Sequence, residues 1–299
     1  MKGIVLAGGT GTRLFPITMG LSKQLLPVYN KPMIYYAIST LMLAGIKEIL
    51  VITNPEFINL YKNFLGDGSH LGVSIDYVPQ EAPRGIAEAF ILGQDFIEND
   101  SVCLILGDNI FHGHNLPELL LRGRRAVETQ KVSVIFGYNV SNPSDYGVVD
   151  FNDKGEVLHL EEKPKQPRSN CAIVGLYMYD NSVIEVAKKI KPSKRGELEI
   201  TAINQVYLEK KELHLEIFGR GYAWFDAGNC DSLFKAAAFV QNIEKRQGLK
   251  IACLEEIAYY MGFITRNQLK ENAAKLSNSE YGEYLLNLDP RGIYPDVPE

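Results

Sequence analysis

Gly3-Ile4-Val5-Leu6-Ala7 is an apolar run that stops abruptly at Gly8-Gly9-Thr10-Gly11-Thr12-Arg13. A short, uninterrupted apolar run is the pattern of a strand buried on both faces, which belongs to a parallel sheet covered by helices. The glycines that follow let the backbone turn sharply and come close to a ligand. Successive N–H groups in such a loop form a concave site for an anion. Arg13 adds a guanidinium that stays charged and grips phosphate oxygens in pairs. A strand, a glycine loop and a fixed cation together suit a nucleoside triphosphate. Two familiar phosphate motifs are excluded. No run of Gly, four residues and Gly-Lys-Ser/Thr is present, and G-x-G-x-x-G is met at Gly9 and Gly11 but fails at Leu14. From the glycines alone, a tight turn without ligand remains the alternative.

The same alternation continues. Pro32 predicts the first position of a helix that runs to Ala44 and stops at Gly45. Strands are predicted at 46–53, 73–78 and 102–106, with helices at 55–65 and from near Gly85 to Ile97. This is the pattern of a doubly wound, Rossmann-like α/β sheet, mostly parallel, in which ligands bind at the carboxyl ends of strands. The glycine loop, Gln80 and Asp108 all fall at such ends. Beyond residue 131 the pattern changes. Strands at 147–151 and 156–160 flank the turn Asn152-Asp153-Lys154-Gly155 and predict a hairpin. Further strands are expected at 132–140, 171–179, 213–218 and 222–225, the last ending in Asp226. Helices are expected from Asn181 as cap to 190, at 197–210 and 232–247, and in short pieces from Leu254 onward. The proline-spaced stretch 289–299 reads as a flexible tail.

Composition narrows the function classes. The formal net charge of −5 argues against a general nucleic-acid surface, so binding of phosphates must rely on locally placed cations. Arg122, Arg124 and Arg125 lie on an expected helix and read as a solvated face. Cys103, Cys171, Cys230 and Cys253 are far apart, without a C-x-x-C, so neither disulfides nor a zinc site is indicated. No apolar run is long enough for a signal peptide or a membrane span, which gives the expectation of a cytoplasmic protein. His112 and His114 flank a glycine after Asp108 but suit magnesium poorly as ligands. Tyr35-Tyr36 and Tyr259-Tyr260 read as core or interface aromatics.

Leu6-Ala7-Gly8-Gly9-Thr10-Gly11-Thr12-Arg13-Leu14, followed by Ser22-Lys23-Gln24-Leu25-Leu26-Pro27 and Lys31-Pro32-Met33-Ile34, resembles the signature of the sugar-nucleotide pyrophosphorylases. The likeness runs from Lys2 to about Tyr284. It implies transfer of a nucleotidyl group to a sugar 1-phosphate with release of pyrophosphate. Within the family the chain is most similar to the branch that makes dTDP-glucose from dTTP and glucose 1-phosphate for deoxysugars such as dTDP-rhamnose. The rivals are the branch using UTP and a catalytically silent nucleotide-sugar-binding subunit.

The resemblance also implies roles. Gly8, Gly9, Thr10, Gly11, Thr12, Gln24, Gln80 and Gly85 match nucleotide-binding positions, Gln80 and Gly85 those reading the pyrimidine. Asn109, Tyr146, Gly147, Glu162, Lys163, Val174, Tyr177 and Arg195 match the sugar-phosphate pocket. Arg13, Lys23, Lys163 and Arg195 are the expected catalytic cations, and Asp108 and Asp226 the expected Mg2+ ligands. On residues alone, Glu161-Glu162-Lys163-Pro164 is an exposed strand end, whereas Asp108 and Asp226 are carboxylates at strand ends that suit Mg2+, with a turn cap as the alternative. The implied division is a nucleotidyltransferase domain at 1–240, with a nucleotide half to about 130 and a sugar-phosphate half to 240, then a helical extension at 241–288. A homotetramer with a second nucleotide-sugar site at an interface is implied, on Gly113 to Glu118, Gly219-Arg220-Gly221 and Glu255 to Tyr259. Three departures stand out. Ala227, Asn229 and Cys230 replace the Thr, Thr and His usual after the metal aspartate, Cys171 replaces a common Tyr, and Tyr260 stands where the family commonly has Arg.

Overall fold

The computed structural model describes residues 1–289. Of the expected tail, everything after Asp289 lies outside the described residues. In chain order the first half consists of β1 (Lys2–Ala7), β2 (Pro27–Val28), β3 (Lys31–Pro32), α1 (Ile34–Leu43), β4 (Glu48–Thr53), α2 (Ile58–Leu65), β5 (Ser74–Pro79), α3 (Glu88–Leu92), α4 (Gln94–Ile97), β6 (Val102–Leu106), β7 (Asn109–Gly113) and α5 (Leu116–Gln130). The second half adds β8 (Ser133–Asn139), β9 (Gly147–Phe151), β10 (Val157–Glu162), β11 (Cys171–Tyr179), α6 (Val183–Lys189), α7 (Ile200–Glu209), β12 (Leu213–Phe218), β13 (Tyr222–Asp226) and α8 (Cys230–Gln247). α9 (Leu254–Tyr260), α10 (Arg266–Lys275) and α11 (Glu280–Leu286) close the described chain.

One sheet runs in the order β10-β9-β11-β6-β1-β4-β5, with β8 joined to β11 and β12 to β8. β1 pairs in parallel with β4 on one side and β6 on the other, and β4 pairs in parallel with β5. The chain therefore walks outward from β1 to β5 and then returns to β1's other flank. That reversal opens a crevice at the carboxyl ends of β1 and β6, the usual place for a ligand in such sheets. β11 runs antiparallel to β6 and carries the β9–β10 hairpin beside this crevice. Two apolar cores cover the two faces. One holds α1, α5 and the C-terminal helices, the other α3, α6 and α7. α1 is buried nearly all round, mostly in the first core, and its polar Ser39 and Thr40 donate their hydroxyls to Tyr36 O. α8 begins with a capping box between Asn229 and Ser232 and ends at Gly248, whose φ of 71° closes the helix. Among the described residues no helix is long and apolar enough to cross a membrane.

The structure corrects several boundaries. α1 starts at Ile34, because Lys31–Pro32 is extended and paired with Pro27–Val28. The expected helix from Gly85 to Ile97 breaks at Gly93 into α3 and α4. A Cβ at Gly93 would stand 2.9 Å from Ile4 Cδ1, so the break marks close packing on β1. α6 starts after Ser182, held by Asp180 rather than capped by Asn181. α7 starts at Ile200, not Glu197, because 193–199 is used in hydrogen bonds described below. β7 was absent from the sequence reading, since its Ile110-Phe111-His112 has neither length nor alternation. The arginine cluster is not one solvated face. Arg122 makes a two-pronged contact with Glu216 at 2.8 and 2.6 Å, and Arg124 donates to the carbonyls of Ala44 and Gly45 at the end of α1.

A buried ionic knot ties the C-terminal part to the sheet domain. Glu244 of α8 accepts from Lys31 Nζ at 2.8 Å, Asn30 Nδ2 at 2.7 Å and Ile251 N at 2.9 Å. Lys31 is 3% exposed, and burial lowers its pKa despite Glu244. Removing one partner of such a pair strands the other charge. Glu244→Ala is therefore expected to lower the unfolding free energy by about 3–5 kcal/mol in urea denaturation. A loss below about 1 kcal/mol, the scale of a surface pair, would show that the knot is not structural.

Candidate active site

The crevice holds a cavity of about 360 Å³, within the range of small-ligand pockets. β1 ends in the glycine loop, which the Asn54 side chain straps to β4. Gly9 N donates to Asn54 Oδ1 at 3.1 Å, and Asn54 Nδ2 returns to Gly9 O at 3.3 Å. Gly8, Gly9 and Arg13 line the cavity, while Thr10, Gly11 and Thr12 do not. Gly11 instead serves the turn, with φ of 60° and its carbonyl accepting from Thr18 Oγ1. Gln80, at the end of β5, and Gly85 reach the same cavity. Gly85 has φ of 110°, and a Cβ there would stand 2.4 Å from Leu198 O. This glycine lets residues 84–87 zip onto Leu198, which donates to Arg84 O and accepts from Ala87 N.

At the carboxyl end of β6 the chain turns at Gly107 and returns as β7, which pairs antiparallel with β13 in the register Asp226↔Asn109. This ribbon sets Asp226 beside Asp108, and Ala227 N donates to Asp108 O at 3.0 Å. The ammonium of Lys23 lies in direct hydrogen-bonded contact with Asp108 Oδ2. Burial pushes Asp108 upward, but Lys23 and the Asn109 amide outweigh it and hold the carboxyl below its ordinary range. Asp226 goes the other way. Burial and the neighbouring Asp108 raise it to about 6, against the opposing charges of Lys23 and Arg13. Gly228 makes room for the cation, since a Cβ there would stand 2.9 Å from Asp226 Oδ1 and 3.1 Å from Arg13 Nη2. Among the described residues no cluster of three or more His, Cys, Asp or Glu suits a metal, so these two carboxylates are the candidate pair.

Asn109 is committed to the framework. Its Oδ1 accepts from Trp224 Nε1 at 2.7 Å and Gly175 N at 3.1 Å, and its Nδ2 donates to Asp108 Oδ1 at 3.0 Å. Both acceptor positions are used, which leaves one amide hydrogen toward the cavity. Tyr146 and Gly147 lead into β9, with the Tyr146 ring 5.1 Å from the Trp224 ring. Glu162 ends β10 and accepts from Thr201 Oγ1 at 2.6 Å. Lys163 follows at φ of 46°, a strained position for a non-glycine residue, with its N–H on Tyr146 O. Among the described residues no carboxylate lies within salt-bridge reach of its ammonium. Arg195 does have such neighbours. Its Nη2 lies 2.9 and 3.0 Å from the two oxygens of Glu199 and 3.4 Å from Glu162 Oε1. Hydrogen bonding to Glu199 raises the guanidinium pKa further.

Three further expected residues, besides Thr10, Gly11 and Thr12, do not line the cavity. Gln24 is 3% exposed and accepts from Ser22 Oγ at 2.9 Å, so its side chain is spent inside the protein. Lys23 touches Asp108 rather than the cavity wall. Val174 points into the apolar core because β11 alternates, so Ile173 and Gly175 are the residues exposed on the cavity side. Tyr177 lines the cavity and is 4% exposed. Sequence reasoning missed Asn54, Glu88, Asp145, Trp224, Glu199 and Thr201. Trp224 lies two residues before the expected Asp226, on the same face of β13, and could have been found. The others carry no local signal.

Ala227 is fully buried in a small apolar core under α8, and Asn229 caps that helix. His112 and His114 line a second cavity of about 380 Å³. Burial lowers the His112 pKa, and its ring packs on Phe239.

Residues 2–243 match the model of the family described as Nucleotidyl transferase. The chain belongs to this family. It is 53% identical over 288 residues to a glucose-1-phosphate thymidylyltransferase of Neisseria meningitidis serogroup A, covering 96% of this chain and 99% of the relative. A Mycobacterium tuberculosis protein of the same name is 54% identical over 288 residues, again 96% of this chain and 99% of the relative. Among solved structures, a Bacillus anthracis protein assigned as a glucose-1-phosphate thymidylyltransferase, with sucrose bound, superposes with a TM-score of 0.73 at 41% identity. It covers 80% of this chain and 94% of its own. A UDP-glucose pyrophosphorylase bound to UDP-glucose gives 0.71 at 25% identity, over 81% of this chain and 98% of its own.

The carboxylate pair has a consequence for stability. A carboxyl whose folded pKa lies above its unfolded value of about 3.9 stabilises the fold fully below that pH and loses the contribution as pH rises through about 6. Without divalent ions, Asp226→Asn should exceed wild type in unfolding free energy by on the order of 2–3 kcal/mol near about pH 7.5. The gap should close between about pH 6 and 4. A gap unchanged by acid would remove like-charge crowding as its cause.

Proposed function

We propose that the protein transfers the thymidylyl group of dTTP to α-D-glucose 1-phosphate, giving dTDP-glucose and pyrophosphate for deoxysugar synthesis. The observation that carries this reading is the convergence of Gly8, Gly9, Arg13, Lys163, Arg195 and the Asp108–Asp226 pair on one cavity. The names of relatives more than half identical to the chain support it further. A phosphate oxygen of the sugar 1-phosphate forms a bond to the α-phosphorus of dTTP, the bond from that phosphorus to the β-phosphate oxygen breaks, and pyrophosphate leaves with the electron pair. The attacking oxygen is already an anion, so no proton has to be removed. The barrier is repulsion among phosphates, and positioned cations lower it.

In this reading Gly8 and Gly9 let the triphosphate lie close against the backbone, with the Gly9 N–H held by Asn54, and Arg13 lies against the shifting charge. Lys163 and Arg195 hold the sugar phosphate, for which Arg195 must exchange Glu199 for the ligand. Glu162 accepts from sugar hydroxyls, oriented by Thr201. Asp108 and Asp226 would hold Mg2+. Two carboxylates, with the remaining positions left to phosphate oxygens, are its usual donor set, and a dication relieves the crowding that lifts Asp226. Bound there, Mg2+ supplies positive charge to the phosphates. Arg13→Ala should lower kcat at least about 10²-fold, the scale of a lost preorganised contact, with little change in melting temperature. Pyrophosphate release from purified protein tests the whole reading. dTTP and UTP should react with glucose 1-phosphate while ATP and GTP do not, and equal rates with ATP would overturn it.

The proposal extends to a cytoplasmic homotetramer with a second nucleotide-sugar site. Support comes from the second cavity, which takes in Gly113 to Pro117 and Glu256-Ile257; Arg220 does not line it. Tyr260 ends α9, three residues after Ile257, and does not line the cavity; its hydroxyl donates to Asp289 O at 2.9 Å and its ring lies 5.3 Å from that of Tyr259. A neutral hydroxyl replaces the charge-assisted bonds an arginine would give a diphosphate. Feedback by dTDP-rhamnose should accordingly be weak, and Tyr260→Arg should strengthen it. Tight inhibition of the wild type, unchanged by the substitution, would refute this.

A further inference from the structure

Gln80 sits at the end of β5 with its backbone N–H on Thr53 O at 2.8 Å, and it is 5% exposed. Its side-chain amide is hydrogen-bonded through one arm. Nε2 donates to Glu88 Oε2 at 2.9 Å in a buried contact. Oε1 lies over the glycine loop, 2.1 Å from where a Cβ of residue 8 would stand. Glu88 opens α3 and is 8% exposed, and its other oxygen faces Arg84 Nη1 at 3.7 Å. A carboxylate only accepts hydrogen bonds, whereas an amide has one donating and one accepting arm. Turning the Gln80 amide over would press two acceptor oxygens together in a buried place. Glu88 therefore leaves Gln80 one orientation, with its carbonyl on the side of Gly8 and the cavity.

We infer that Glu88 is a positioning residue for base choice: by fixing the Gln80 amide, it makes the pocket accept a pyrimidine with a ring N–H and reject cytosine. This rests on the reading of Gln80 as the residue that meets the base. Thymine and uracil present N3–H, a donor, to a carbonyl at that place. Cytosine presents a lone pair at the same ring atom and meets the carbonyl oxygen with like polarity. A site built for one hydrogen-bond polarity rejects the other strongly because its own buried group is left unpaired. Gly8 belongs to the same device, since any side chain there would collide with the oriented oxygen.

The test compares kcat/KM for dTTP and dCTP, with glucose 1-phosphate, in wild type, Glu88→Gln and Glu88→Ala. Glutamine keeps the shape of Glu88 but can donate, so it accepts either face of Gln80. The dTTP-to-dCTP ratio should fall by about tenfold or more in Glu88→Gln. The change should lie in KM for the nucleotide, with KM for glucose 1-phosphate unaltered. A merely structural role for Glu88 would weaken both nucleotides in proportion and leave the ratio untouched, which would overturn the inference. Should a variant turn over too slowly, the same ratio is read as dissociation constants from quenching of Trp224, the single tryptophan of the chain. Wild type that releases no pyrophosphate from dTTP and glucose 1-phosphate would overturn the proposed function and this inference together. Active wild type with an unaltered ratio in both variants would overturn the inference alone.

Discussion

The buried amide of Asn109 joins three of the segments that line the cavity. It accepts from Trp224 on β13 and from Gly175 on β11, and it donates to Asp108 beside it. Each segment arrives by a different route. β6 comes through the parallel half of the sheet, β11 is antiparallel to it, and β13 belongs to a separate ribbon with β7. One side chain with both acceptor positions filled holds them in register, and the low dielectric around it makes each bond costly to lose. Gly175 is a condition of this arrangement, since a Cβ there would stand 2.8 Å from Asn109 Oδ1.

Charge in the cavity follows the same economy of placement. The chain is acidic overall, yet Arg13, Lys23, Lys163 and Arg195 gather near one crevice. Lys23 and Arg195 are matched by Asp108 and Glu199 in the structure. Pairing of this kind keeps cations in place without an anionic ligand and limits the repulsion that bare neighbouring charges would cause. The two carboxylates titrate apart, Asp108 downward because Lys23 is in contact with it and Asp226 upward because of burial and then of Asp108 as neighbour.

The supporting residues explain why the glycines recur. Gly8 yields to the Gln80 carbonyl, Gly85 to the Leu198 backbone and Gly228 to Asp226 and Arg13. The opening loop reads as a concave anion site from sequence, but only part of it lines the cavity. The rest makes a turn braced by Thr18 and Asn54.

Local order in the chain was enough for the sheet, because buried parallel strands are continuous apolar runs and each ends where polarity returns. β1 and β6 were legible for that reason, and with them the positions of Gly8 and Asp108; β5 and β13 were expected as well, with Gln80 and Asp226 at their ends. Short β7 was not, since its pairing with β13 is a contact between residues far apart in sequence. The side chains that aim the site were equally hidden: Glu88 on Gln80, Thr201 on Glu162, Asn54 on Gly9 and Glu199 on Arg195. Gln24 and Val174 erred in the opposite direction, because motif position does not say which way a side chain points. The sequence by itself determined which residues bear charge and where strands end, through hydrophobic periodicity and residue chemistry. Tertiary structure alone decided which of those residues face one another, because hydrogen-bond partners and like-charge neighbours are set by the packing of distant segments.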